Sequence, residues 1–167
     1  LFNKSSSHLI MLNTIKSSIE FYKTVKEDAM FKELVEEKYI FYLSANIIPK
    51  ERAARIVEIK KLLKQEKKII IVSTQVIEAG VDIDLDVVIR DIGPIDSIIQ
   101  VAGRCNREMN KNKGKVFVFN LKDDKCSYAT YVYGKTHYIV SKEILDIKSI
   151  EESQFFGLIN NYFNLIA

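Results

Sequence analysis

The stretch KIIIVST, residues 68–74, decides the fold. Ile69, Ile70, Ile71 and Val72 follow one another with no polar interruption. A strand with one wet face would alternate, so this one is covered on both faces, as in a parallel sheet between helices. Related segments stand at HLIMLN (8–13), YIFYL (39–43), DVVIRD (86–91) and KVFVFNL (115–121). Helical spacing separates them. Thr14 is placed to cap a helix carrying Ile15, Ile19, Tyr22 and Lys26. Pro49 suits the first turn of a helix running to about Gln65, with Ala53, Ile56, Ile59 and Leu63 on one side. Asp96 or Ser97 is expected to cap a helix over 96–104. This order predicts an α/β fold: three layers, α/β/α, with a mostly parallel sheet and right-handed crossovers, followed by C-terminal helices.

The tail reads differently. GKTHYIVSKEILDI (134–147) is helical in pattern. Ser149 and Glu152 have capping-box spacing before the apolar SQFFGLINNYFNLI (153–166). The expected division is an α/β domain over 1–125 and a helical extension over 126–167. The extension packs on that domain or docks on domains outside the chain, where its apolar face would otherwise be left open.

With 167 residues, 47% hydrophobic and 28% charged, the chain has the composition of a soluble globular domain. No apolar run approaches the roughly 18 residues of a membrane span. LFNKSSSHLIML lacks the pattern of a secretory signal, and a chain that begins at Leu1 reads as a piece of something larger. Cys105, Cys126, His8 and His137 have no metal-ligand spacing, so no metal site is expected, and a reducing cytoplasmic setting is. The net charge of +3 says little, but charge is concentrated locally. Residues 50–68 carry eight basic against three acidic residues, and residues 104–115 five against one. Such stretches serve as phosphate-binding surfaces or as solvated helix faces.

In open α/β sheets, ligands bind beyond the carboxyl ends of the strands. Asn13-Thr14, Ser44-Ala45-Asn46 and Ser73-Thr74-Gln75 stand there. Small hydroxyl side chains and free N–H groups suit phosphate oxygens, and the same residues also cap helices and fill turns. STQVIEAGVDIDLD (73–86) adds Glu78, Asp82, Asp84 and Asp86. No histidine completes a metal shell around them. The stretch reads as a loop between two buried strands, interrupted at Gly80, with Asp84 and Asp86 turning the chain.

SIIQVAGRCNR (97–107) sets Gln100, Gly103, Arg104 and Arg107 at Q-x-x-G-R-x-x-R spacing. On a helix these four share a face. Two guanidinium forks beside a glycine that permits close approach can meet a polyphosphate. No G-x-x-x-x-G-K-[ST] phosphate loop and no strand-following Asp-Glu pair occur, so the chain carries half of a nucleotide site.

STQVIEAGVDID resembles motif V, and QVAGRCNR motif VI, of the second RecA-like domain of superfamily 2 helicases. MLNTIKSSIEFYKTV is similar to the motif IV region, and YLSANIIPKERAARI to the segment after it. The likeness is strongest to the CRISPR-associated helicase-nuclease of type I systems, where DSIIQ, GRCNR and an RD pair are characteristic. It covers residues 8–121. The resemblance implies that Arg104 and Arg107 reach the γ-phosphate of ATP, with Gln100 near the phosphates. Gly80 and Asp82 are implied near the ribose and the domain interface, and Thr74 on a nucleic-acid backbone. Asn13, Thr14, Ser44 and Ser73 stand where further backbone contacts are expected. ATP and Mg2+ would be held mainly by a first RecA-like domain outside this chain. The implied partners are single-stranded DNA, that first domain, an HD nuclease domain and a CRISPR effector complex. Another superfamily 2 motor, such as a restriction or repair translocase, and a non-catalytic nucleic-acid-binding adaptor remain open.

Overall fold

The computed structural model describes residues 2, 5–78, 81–106, 114–147 and 149–167. Five strands form one sheet: β1 (His8–Met11), β2 (Ile40–Leu43), β3 (Ile70–Ser73), β4 (Val87–Asp91) and β5 (Lys115–Phe119). Every pairing is parallel, in the order β2-β3-β1-β4-β5. The expected strands are all present, each trimmed by a residue or more except at the start of β1 and β5 and the end of β2 and β4.

The unbroken apolar runs are explained by two cores, one on each face. Side chains along a strand alternate between faces. Leu9, Met11, Phe41, Leu43, Ile71 and Val88 enter one core, and Ile10, Ile40, Tyr42, Ile70, Val72 and Ile89 the other. The first is closed by Ile56, Ile59, Leu62 and Leu63 of α3 (Pro49–Lys64) and by Val101 of α4 (Ile95–Ala102). The second is closed by Ile19, Tyr22 and Val25 of α1 (Ile15–Glu27) and Leu34 and Val35 of α2 (Lys32–Glu36). Each fully buried aliphatic side chain contributes roughly 1.5–3 kcal/mol of transfer free energy. Both faces are needed, since either alone would leave half of each strand wet.

Helix ends follow the sequence in part. Thr14 caps α1, its side chain accepting from Ser17 N at 3.1 Å. Pro49 opens α3. α4 begins two or three residues earlier than a cap at Asp96 or Ser97 would set it: its N-cap is Pro94, and the Ser97 hydroxyl is engaged elsewhere. α2, short and largely polar, was not expected. The capping box before the last helix uses Glu151 and Gln154, not Ser149 and Glu152.

After β5 come α5 (Tyr128–Tyr133), α6 (Lys135–Ile144) and α7 (Phe155–Ile166). Val140, Ile144 and Tyr162 gather on Ile95 of α4 in a third cluster. The Tyr162 hydroxyl meets His137 Nδ1 at 2.6 Å. The other side of α7 stays open, with Phe156 77% exposed and Phe163 and Leu165 also exposed. Among the described residues, no helix is long and apolar enough to cross a membrane.

Candidate functional site

The stretch 73–86 runs between the two edges of the sheet. Its far end lies at the amino edge. Asp86 Oδ2 accepts from Ser7 N at 2.7 Å and from Lys68 Nζ at 3.0 Å, so it ties together the chain entering β1, β3 and β4. Val81, Ile83 and Leu85 are buried, Asp82 is exposed, and Asp84 and Asp86 are half-buried. The alternation of VDIDLD is therefore real. Asp84 thus lies within the alternating run rather than at a turn, while Asp86 stands at a bend directly before β4, as expected.

At the carboxyl edge stand Asn13, Thr14, Ser44, Ser73 and Thr74. The structure turns most of their side chains inward. Asn13 donates from Nδ2 to Ile92 O at 2.6 Å and accepts at Oδ1 from Arg90 at 2.7 Å. Ser73 Oγ donates to Thr74 O at 2.8 Å. Ser44, Ser73 and Thr74 are buried. Ser44 Oγ has no hydrogen-bond partner among the described residues. Thr14 is half-buried and shares its hydroxyl with Ser17. Asn13 and Ser73 therefore brace the loops in which they stand.

The densest polar cluster contains residues absent from the expected site. Arg90, the penultimate residue of β4, is 0% exposed. Its Nη1 donates to Asn13 Oδ1 at 2.7 Å and Asp91 O at 2.8 Å. Its Nη2 donates to Ser97 Oγ at 2.8 Å, Tyr133 OH at 3.1 Å and Glu78 Oε1 at 3.2 Å. One guanidinium thus joins the loop after β1, Glu78 beyond β3, α4 and α5. A buried cation of this kind is tolerable only when paired and hydrogen-bonded. Ser97 Oγ also donates to Glu78 Oε1 at 2.7 Å. Burial pushes the Glu78 carboxyl above its usual range, against the Ser97 hydrogen bond and the Arg90 charge, which pull it down. Asp91 is raised further, to about 6, again by burial. Its Oδ1 accepts from Leu121 N at 2.9 Å, while Oδ2 has no partner among the described residues. The signal in the sequence was Arg90 itself: a charge inside the apolar run of DVVIRD demands an anion in the fold.

The segment after α4 is held by main chain. α4 stops at Ala102, with Gly103 as its C-cap at φ −65°. This corrects the expectation that Gln100, Gly103 and Arg104 share one face of a continuous helix. Beyond the turn, Leu85 N donates to Arg104 O at 3.0 Å and Asn106 N to Leu85 O at 3.0 Å. Residues 104–106 thus lie as a short parallel strip beside residue 85. Gly114 backs this strip: a Cβ there would come within 2.6 Å of Cys105 Sγ and 2.9 Å of Asn106 Cβ. The Arg104 side chain turns back, and its Nη2 donates to Glu78 O at 2.8 Å. Gln100 and Gly103 are exposed beside it. Gly80 and Arg107 lie outside the described residues. Among the predicted residues, Arg104 lies against Glu78 and Leu85, with Gln100 and Gly103 one turn or less before it in the chain. Asn13, Thr14, Ser44, Ser73 and Thr74 gather separately at the carboxyl edge. Among the described residues, no group of three or more His, Cys, Asp or Glu could hold a metal ion.

Comparison with known proteins bears on this arrangement. Residues 4–110 match the family model described as CRISPR-associated nuclease/helicase Cas3, C-terminal. A CRISPR-associated nuclease/helicase Cas3 of Methanothermobacter thermautotrophicus is 30% identical over 164 residues, which is 96% of this chain and 18% of that protein. The chain therefore spans under a fifth of that relative's length. The crystal structure of T. fusca Cas3-AMPPNP superposes with a TM-score of 0.77 at 18% identity, over 95% of this chain and 20% of that one. A chain of a CRISPR RNA-guided surveillance complex, pre-nicking, superposes with a TM-score of 0.72 at 18% identity, over 97% of this chain and 22% of that one. These likenesses carry the RecA-like three-layer fold. With the family match over residues 4–110, the chain belongs to the family of Cas3-like C-terminal helicase domains.

Proposed function

We propose that this chain is the second motor domain of an ATP-dependent superfamily 2 DNA helicase or translocase acting in CRISPR interference. The observation that carries this reading is the placement of Arg104. Main-chain bonds to Leu85 fix its backbone, and Glu78 O holds its half-buried guanidinium. A cation fixed in advance near a domain surface is what charge stabilisation in phosphoryl transfer requires. ATP and Mg2+ would be held mainly by a first RecA-like domain beyond this chain, with Arg104, Arg107 and Gln100 completing the site across the interface. Asp82, which is exposed, would face that interface. The loops after β1, β2 and β3, with Thr14 and Thr74, would track the backbone of single-stranded DNA. The HD nuclease domain and a CRISPR effector complex are the remaining partners of this reading.

The experiment is hydrolysis by the full-length protein. Arg104→Ala should lower DNA-stimulated turnover by about 10³-fold or more, as removal of an arginine finger does, with DNA binding retained. This chain alone should hydrolyse no ATP, since it lacks the phosphate loop. DNA-stimulated turnover by the chain alone would contradict the assignment. A full-length protein that binds DNA but never hydrolyses ATP would favour an adaptor.

A further inference from the structure

We propose that Tyr133 is a positioning residue for Arg104, so that the helices after β5 are part of the motor's nucleotide-facing machinery. The proposal rests on the reading of Arg104 above. It assigns a role to a residue beyond the family match, which ends at 110.

Tyr133 closes α5, and its hydroxyl enters the Arg90 cluster. Arg90 Nη2 lies 3.1 Å and Gln75 Nε2 3.0 Å from that oxygen. A guanidinium and an amide nitrogen only donate, so the phenol oxygen accepts from both. The orientation of the Gln75 amide is fixed independently, because the same Nε2 also donates to Asn13 O at 3.0 Å. Tyr133 therefore clamps the two ends of one segment: Gln75 at its start and, through Arg90, Glu78 at its end. Glu78 O is the group that receives Arg104. The path from Tyr133 to Arg104 is a sequence of direct hydrogen bonds: Tyr133 OH, Arg90, Glu78, Arg104.

A second feature shows that the contact is built in. Gly93 lies under the Tyr133 ring. A Cβ at that position would come 2.9 Å from Arg90 Nη2 and 3.1 Å from Tyr133 Cε2. Only glycine lets the ring and the guanidinium meet there. Gly134 follows at φ 85°, a conformation that favours glycine, and it ends α5 directly after the tyrosine. α6 then leads to the cluster on Ile95, so the element carrying Tyr133 is anchored to α4, which also supplies Ser97 to Arg90.

The test uses the full-length protein and Tyr133→Phe, which deletes one oxygen and keeps the ring. The expected result is a loss of roughly 3- to 10-fold in DNA-stimulated kcat, the size of one hydrogen bond expressed in a barrier. KM for ATP and the melting temperature should stay at wild-type values. In an Arg104→Lys background, the same substitution should cause no further loss, because the residue it positions is already impaired. Gly93→Ala, which displaces the ring, should reproduce the kcat loss and the same non-additivity. Wild-type kcat in Tyr133→Phe overturns the proposal, as does a loss that multiplies in full with that of Arg104→Lys. A lowered melting temperature with unchanged kcat also overturns it, since Tyr133 would then only stabilise the fold. If Arg104→Ala itself turns over normally, the reading of Arg104 fails first. If Arg104→Ala is inactive and Tyr133→Phe is normal, only the role of Tyr133 falls.

Discussion

Lys68–Asp86 and Arg90–Glu78 both draw their carboxylate from residues 73–86, yet they hold opposite edges of the sheet. In the first pair, at 3.0 Å, the side chains are 31% and 22% exposed. In the second, at 3.2 Å, they are 0% and 18% exposed. The similar distances hide different energetics. Water screens the first pair and can replace either partner. Water cannot reach Arg90, so breaking its pair with Glu78 strands a buried charge. The amino edge is therefore a fastening. The carboxyl-edge cluster is a buried junction, and it is the one wired to Arg104.

The largest expected effect breaks the junction outright. Arg90→Ala should destabilise this chain by about 3–5 kcal/mol, the cost of breaking a buried pair, measured by urea unfolding. A loss below about 1 kcal/mol would show that the cluster is wet and the contrast false. Gly93→Ala crowds the junction without removing a charge and should cost about 1–3 kcal/mol, the range for overpacking. Lys68→Met, at the other edge, should cost under about 1 kcal/mol, and salt should weaken the wild-type pair there more than at Arg90. A cost equal to that of Arg90→Ala would erase the distinction between the edges.

A separate effect is one of pH. Folding raises the Asp91 carboxyl from 3.8 to about 6, so the folded chain binds more protons than the unfolded chain between those values. Stability contributed by this group is full below pH 4 and falls as pH rises towards 6 and past it. Asp91→Asn should therefore lose less stability than the wild type between pH 4 and pH 7. A steeper loss in the variant would mean that Asp91 is held ionised by partners that favour its charge.

The sheet was legible because burial on both faces leaves a plain mark: an apolar run that does not alternate, as in KIIIVST. Thr14 and Pro49 were legible because caps act within a few residues. Arg104 and its neighbours were legible as a motif, but their geometry was not. The helix ends at Ala102, and a turn followed by main-chain bonds to Leu85 replaces the expected continuous face. Gln75, Glu78, Ser97 and Tyr133 escaped because they meet only in the fold. Tyr133 lies 43 positions from Arg90, and nothing local binds them. Arg90 alone announced that a partner must exist. Asn13 and Ser73 brace their own loops in the fold, a use the sequence does not separate from ligand contact, because the residues that hold an anion also finish a strand.

The central claim is that Arg104 is held ready for the phosphates of ATP by the junction that Arg90 builds. The most direct measurement is DNA-stimulated ATP hydrolysis by full-length protein carrying Arg104→Ala, beside DNA binding by the same protein. The account predicts turnover lowered by about 10³-fold or more with DNA affinity unchanged. Normal turnover, or lost DNA binding with hydrolysis intact, would contradict it.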